Sequence, residues 1–274
     1  MVEVRNTITA DVSDELYVYL PPSALNDSDT KELIANDSFE QSIAAKPSGR
    51  ILFDDITFKA DFIRTFEAVK RTIDVRDGHR VLELGASHGW ASVIVKDDCP
   101  GAHVVASDVV ADCVRHCARY EGVLGRTIDE KWAFSVRDIP FADAQFDRVF
   151  TFAAFHHFGD HGDYTHTLRE IARILKPGGK LVLLYEPTSP PLLYRWAYNR
   201  VNRKRAHEGV DEDVLVVRSL RSIASKLGLT VRSVPFPFYQ YRGSVAATVY
   251  YYLLAKLRLS SFMVCTANIV FEKA

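Results

Sequence analysis

The chain has 274 residues, a formal charge of −1 at pH 7 and 47% apolar residues, enough to bury the core of one α/β domain and short of the basic excess expected of a nucleic-acid or acidic-membrane binder. No apolar run reaches the roughly 18 residues of a spanning helix; the nearest, 245–259, is broken by Lys256 and Arg258. The start, MVEVRNTITADVSDEL, lacks the basic and apolar regions of a signal peptide, and four scattered cysteines suit a reducing compartment, so a cytoplasmic protein without a membrane span is expected.

Residues 1–50 are polar, acidic and punctuated by Pro21, Pro22 and Pro47; they are expected to form an N-terminal extension with a little helix, a candidate lid over a domain spanning 51–274. Phe62, Phe66, Val69 and Ile73 recur at helical spacing. Five strands follow, at 80–84, 102–107, 132–136, 146–152 and 180–185, alternating with helices. The helix THTLREIARIL stops at Lys176-Pro177-Gly178-Gly179, where Pro and Gly cannot continue it. Such alternation predicts a mainly parallel sheet with helices on both faces. Residues 187–228 read as an insertion with a basic run (Arg195, Arg200, Arg203, Lys204, Arg205), an acidic turn and a helix with Val216, Leu220, Ile223 and Leu227 on one stripe, capped by Gly228. A sixth strand at 229–234, a helix at 244–257 and a seventh strand at 262–271 complete the chain.

The run RVLELGASHGWASVIV (80–95) reads as strand, glycine turn and helix, a geometry that lets backbone N–H groups approach a polar ligand. Its glycines, Gly85 and Gly89, lack the G-x-G-x-x-G register of dinucleotide binders, and Glu83 stands two residues before the first. Asp108 ends the next apolar strand. The stretch RDIPFADAQFDRVF follows the third, FAAFHHF (152–158) the fourth, and ILKPGGKLVLLYEP runs into the fifth.

Taken in order, these pieces resemble class I S-adenosylmethionine-dependent methyltransferases, in the broad family that includes the ubiquinone and menaquinone methyltransferases. The likeness covers about residues 60–186. It implies a Rossmann-like doubly wound seven-stranded sheet, mostly parallel with an antiparallel last strand, and S-adenosyl-L-methionine as cofactor. It also implies cofactor contacts from Glu83, the turn Gly85, Ala86, Ser87 and Gly89, the ribose-binding acid Asp108 with Val109, the adenine-side Asp138 with Ile139, and Phe152. His88 stands where many relatives carry glycine.

Methyl transfer asks the protein to align a nucleophile and exclude water, with a base only for a protonated acceptor. His156 and His157, just after the fourth strand, have two readings: a general base, or a helix cap with a packing partner beneath the cofactor. Glu186 and Tyr194 are candidate substrate ligands, Glu186 equally a capping or solvated acid. The basic run reads as a solvated helix face or an anion-attracting surface. Cys113, His116 and Cys117 share a predicted helix without a further ligand pair at metal spacing, so no metal site is expected. The expected function is methyl transfer to a small-molecule acceptor, preferably oxygen. The alternatives are a tRNA or protein methyltransferase, a nicotinamide oxidoreductase, and a non-catalytic cofactor-binding module. Oligomeric state is not legible.

Overall fold

The computed structural model describes residues 9–11, 16–25, 29–33, 48–159, 162–203, 212–235 and 244–274. Pro47, Lys204, Arg205 and most of the expected acidic turn lie outside them.

The described strands are β1 (Thr9–Asp11), β2 (Leu16–Tyr19), β3 (Arg80–Leu84), β4 (His103–Asp108), β5 (Glu130–Phe134), β6 (Phe146–Phe152), β7 (Leu175–Thr188), β8 (Leu229–Pro235) and β9 (Cys265–Lys273). They form one sheet in the order β1-β2-β5-β4-β3-β6-β7-β9-β8. From β5 to β7 neighbours are parallel, and β9 runs antiparallel to both β7 and β8. The seven expected strands are present with shifted ends, and β9 is the expected antiparallel last strand. Two more flank them: β2 pairs parallel with β5, and β1 pairs antiparallel with β2, where only helix was expected of the N-terminal extension.

The apolar runs explain the centre. Strands covered on both faces need no polar alternation, and Val104, Val105 and Ala106 of β4 are all fully buried. Alternate residues still serve different layers. Val81 joins one core with Phe66, Val93 and Val114, and Leu82 joins the other with Leu168, Ile171 and Leu220. The helices of the first layer are α1 (Ser48–Val69), α2 (Trp90–Asp98), α3 (Ala111–Arg115) and α4 (Cys117–Leu124). Those packed on the second core are α5 (Thr165–Ile174) and α7 (Val217–Lys226); α6 (Tyr194–Asn202) lies between β7 and α7, and α8 (Val245–Lys256) precedes β9.

Three expectations change. Cys113 and Cys117 lie on two short helices meeting at His116 rather than on one. β7 starts at Leu175, so the LKPGG segment belongs to the strand and pairs with Phe146 across a register shift. The 187–228 excursion rejoins the body early: Leu215 donates its N–H to Pro187 O at 2.8 Å, and Leu220 and Ala224 of α7 are core residues. No helix of the described residues is long and apolar enough to cross a membrane.

From β3 the chain winds to β4 and β5 on one side, then returns to β6 and β7 on the other. The reversal lies between β3 and β6, and in open α/β sheets ligands bind outside the carboxyl ends of strands at such a point.

Candidate active site

The turn after β3 is built from left-handed residues: φ is 68° at Gly85, 49° at Ser87 and 67° at Gly89. A Cβ at Gly85 would come within 2.9 Å of Ala154 Cβ and 3.0 Å of the Phe158 ring, so the backbone approach itself requires glycine. At Gly89 a Cβ would collide with Cys117 Sγ, which gives that buried thiol a packing role. Ala86 N donates to Ser107 O at 2.8 Å, fastening the turn to β4. Asp108 fastens it again, with Oδ2 accepting from Ser87 N (2.8 Å) and Oδ1 from Val110 N (3.0 Å).

A cavity of about 260 Å³ opens against this turn. Gly85, Ser87, Asp108, Val109 and Phe152 form one side, all of them anticipated. Phe158, packed against Gly85, and His157 also line it, and Asp29 and Glu32 project from the helical segment 29–33. Burial raises the Asp108 carboxyl above its ordinary value, against the hydrogen bonds from Val110 and Ser87 that lower it. Burial likewise raises Glu32, and the charges of Asp108 and Asp29 add to the rise. Three carboxylates thus converge on one small cavity with aromatic walls, an environment that disfavours a further anion and suits a cation. A nucleoside carrying a sulfonium and an ammonium group fits this donor set. Asp108, with lone pairs beyond its two backbone bonds, would take the ribose hydroxyls. The glycine turn would pass the aliphatic chain.

Other anticipated residues lie away from the cavity walls. Glu83 is buried under the turn, where it accepts from Ser92 Oγ, and burial pushes its carboxyl up to about 8. Asp138 receives Tyr19 Oη at 2.8 Å and borders a neighbouring cavity of about 330 Å³ with Arg137 and His166. Ile139 is fully buried, its N–H directed to Glu170 at 3.3 Å. Hence Tyr19, on a strand the sequence did not disclose, engages the expected adenine-side acid. His88 is buried with its ring 5.2 Å from that of His116.

The expected substrate ligands take supporting positions. Glu186 is fully buried and accepts from Ala154 N (3.1 Å), Phe155 N (2.9 Å), His156 N (3.3 Å) and Thr151 Oγ1 (3.4 Å), and pairs with His156 Nδ1 at 2.8 Å. So many donors leave it no reach toward a ligand; it shapes the turn after β6 and fixes an imidazole. Tyr194 Oη donates to Asp213 Oδ1 at 2.9 Å, and Asp213 Oδ2 also receives Tyr164 Oη at 2.6 Å. Among the basic run, Arg200 packs over the Trp196 ring at 5.2 Å on α6.

The two histidines separate in role. His156 is buried with both ring nitrogens engaged, Nδ1 by Glu186 and Nε2 by Glu212 Oε2 at 3.1 Å. His157 borders the cavity, with Nδ1 3.8 Å from Glu32 Oε1 and Nε2 3.9 Å from Glu212 Oε1. Glu212, Glu32 and Asp29 have no signal in the sequence: each lies in a polar stretch without periodicity, and only the tertiary fold brings Glu32 and Glu212 near His157 and Asp29 to Ser135 and the cavity.

Comparison with known proteins bears on the domain and the fold. Residues 82–183 match the family model described as a methyltransferase domain. The chain is 31% identical over 150 residues to a demethylmenaquinone methyltransferase of Thermus thermophilus, covering 53% of this chain and 66% of that protein. It is 29% identical over 127 residues to the methyltransferase GfsG of Streptomyces halstedii, covering 44% and 42%. The chain thus spans less than two thirds of the length of these curated relatives. The crystal structure of the YcgJ protein from Bacillus subtilis shares the fold, with a TM-score of 0.54 at 19% identity over 77% of this chain and 98% of that one.

Proposed function

We propose that this chain, a member of the methyltransferase family through residues 82–183, binds S-adenosylmethionine beside Asp108 and methylates a small-molecule acceptor, with oxygen as the acceptor atom. The observation that carries the reading is the Asp108 carboxylate, held by Ser87 N and Val110 N at the wall of a cavity bounded by Gly85. Bound there, the cofactor would supply a sulfonium-activated methyl group for in-line displacement. Asp108 binds the ribose, Gly85 and Ser87 admit the chain close to the backbone, and Phe152 closes the apolar wall. Asp29 and Glu32 bring negative charge over the cavity, making 29–33 a lid that excludes water and favours a cationic ligand.

The acceptor enters at the His157 end. The polar groups there, His157 with Glu212 and Glu32 nearby, support an acceptor that presents a hydroxyl. Residues 187–203, which include α6, with 212 and 213, form the acceptor's side of the site, and the near-neutral charge favours a small molecule over tRNA. A cytoplasmic setting is part of the proposal.

Calorimetry with S-adenosylmethionine, S-adenosylhomocysteine and NAD tests the first half: the two sulfur nucleosides should bind and NAD should not. Label from the methyl-labelled cofactor, followed into a cell extract with mass spectrometry of the product, tests the second. Heat with NAD alone would overturn the cofactor, and label recovered only in tRNA or protein would overturn the acceptor class.

A further inference from the structure

Beside the cavity, three carboxylates, Glu32, Glu186 and Glu212, surround two imidazoles tilted by 41° with centroids 4.2 Å apart. We propose that His156, His157 and Glu212 bind one divalent transition-metal ion, of the zinc and iron(II) class, with an open position toward the cavity. One ligand atom from each lies within 4.8 Å of the others. Metal–ligand bonds of about 2.1 Å in tetrahedral geometry place neighbouring ligand atoms about 3.4 Å apart. His156 Nε2 stands 3.1 Å from Glu212 Oε2, and His157 Nε2 stands 3.9 Å from Glu212 Oε1, so rotamer-scale adjustments close the set.

Two supports are independent of these distances. Glu186, itself wholly buried, takes the Nδ1 side of His156 at 2.8 Å. With the proton on Nδ1, Nε2 offers its lone pair to a cation shared with Glu212 Oε2, in the place a second ring proton would otherwise take. A carboxylate behind a histidine is also the usual partner of a metal-ligating imidazole, setting its tautomer and ring orientation. Glu212 is anchored as well: its N–H donates to Asn202 Oδ1 at 2.8 Å, and Asn202 Nδ2 donates to its carbonyl at 2.9 Å. The segment bearing the third ligand is thereby tied to the end of α6. Two imidazoles and one carboxylate suit borderline ions and leave coordination positions open, whereas magnesium and calcium prefer oxygen sets.

His157 lines the cavity, so the open position faces the place where an acceptor hydroxyl would arrive. An ion there would bind that oxygen and ease loss of its proton to solvent. This consequence rests on the proposed methyl transfer; the ion's binding does not.

The test uses the full chain stripped by chelator and dialysed. Zinc should bind one ion per chain by elemental analysis and by competition with a chromophoric chelator, and cobalt(II) should develop visible d–d bands. Glu212→Gln and His157→Asn should each weaken zinc by about 100-fold or more, and Glu186→Gln, one shell out, by about 10–100-fold. Absence of stoichiometric zinc in the unmodified chain, or equal affinity in Glu212→Gln, overturns the site and leaves a hydrogen-bonded histidine–carboxylate cluster. Calorimetry with S-adenosylhomocysteine on the same samples separates the two proposals. Nucleoside binding without metal removes only the ion, and metal binding without nucleoside removes only the methyltransferase reading.

Discussion

Asp108 Oδ2 accepts the backbone N–H of Ser87 at 2.8 Å, so the residue that would hold the ribose also holds the glycine turn in its left-handed course. The same carboxylate therefore contributes to fold and to binding. Asp108→Ala should weaken S-adenosylhomocysteine by roughly 1.5–3 kcal/mol, about 10–150-fold in Kd, the scale of hydrogen bonds to a charged group. It should also lower stability by about 1–3 kcal/mol, because two backbone donors lose their acceptor. Asp108→Asn keeps an acceptor for only one of those donors and sets its NH2 against the other, so it should recover part of the stability while still binding poorly. Calorimetry and chemical denaturation of both variants check this; unchanged affinity in both would take Asp108 out of the nucleoside site.

Glu83 gives a pH dependence of known sign. Its carboxyl rises from 4.5 to about 8 on burial, a shift the hydrogen bond from Ser92 only partly offsets. The folded chain therefore keeps a proton that the unfolded chain releases, and this contribution to stability is lost as pH climbs from about 4.5 through about 8. Glu83→Gln keeps an acceptor for Ser92 and does not titrate. Its stability relative to the unmodified chain should grow across that window by about 3–5 kcal/mol and level off above it. Denaturation at pH 5, 7 and 9 measures the difference; a flat difference would mean that Glu83 is ionised in the folded protein.

The histidine pair should divide under mutation. His157→Gln removes a group at the cavity wall and should cut turnover by about 10²–10⁴-fold with nucleoside affinity near that of the unmodified chain. His156→Gln also loosens Glu186, which organises the turn after β6 through the N–H groups of Ala154, Phe155 and His156. That variant should lose turnover and thermal stability together. Equal stability loss in both variants, or turnover within a few-fold of the unmodified chain for His157→Gln, would contradict the division.

These contrasts follow the line between what the sequence exposes and what it conceals. Glu83, Gly85, Gly89 and Asp108 are legible because each sits at a fixed offset from an apolar run, and strands buried on both faces leave such runs uninterrupted. The strands from β5 to β9 in sheet order follow for the same reason, whereas β8, at the sheet edge with Thr230 and Arg232 exposed, follows from its alternation. β2 is not legible: four residues, one strand in from the sheet edge, carry too little periodicity, and the hydrogen bond from Tyr19 to Asp138 is hidden with it. Glu186 was legible as a position after the fifth expected strand and not as a role, because its donors come from the separate turn 154–156. Glu212 stands 56 residues from His156 in a polar stretch, and no spacing rule joins them.

Glu32 offers a test of the lid through charge alone. Burial raises its carboxyl, and the neighbouring charges of Asp108 and Asp29 raise it further, so the three acids repel one another across the cavity. A sulfonium ligand relieves that repulsion, and its demethylated product, which lacks the positive sulfur, relieves it less. Glu32→Gln should therefore weaken S-adenosylmethionine more than S-adenosylhomocysteine. At separations of about 8 Å and an effective dielectric near 20, one charge pair is worth on the order of 1–2 kcal/mol, or a change of roughly 5–30-fold in the affinity ratio. The change should shrink as salt rises from about 0.05 to 0.5 M, less steeply than for a surface pair because the cavity is partly shielded. Parallel calorimetry of both nucleosides gives the ratio directly. An unchanged ratio in Glu32→Gln would mean that 29–33 does not lie over the bound nucleoside, and would remove the lid from the proposed site.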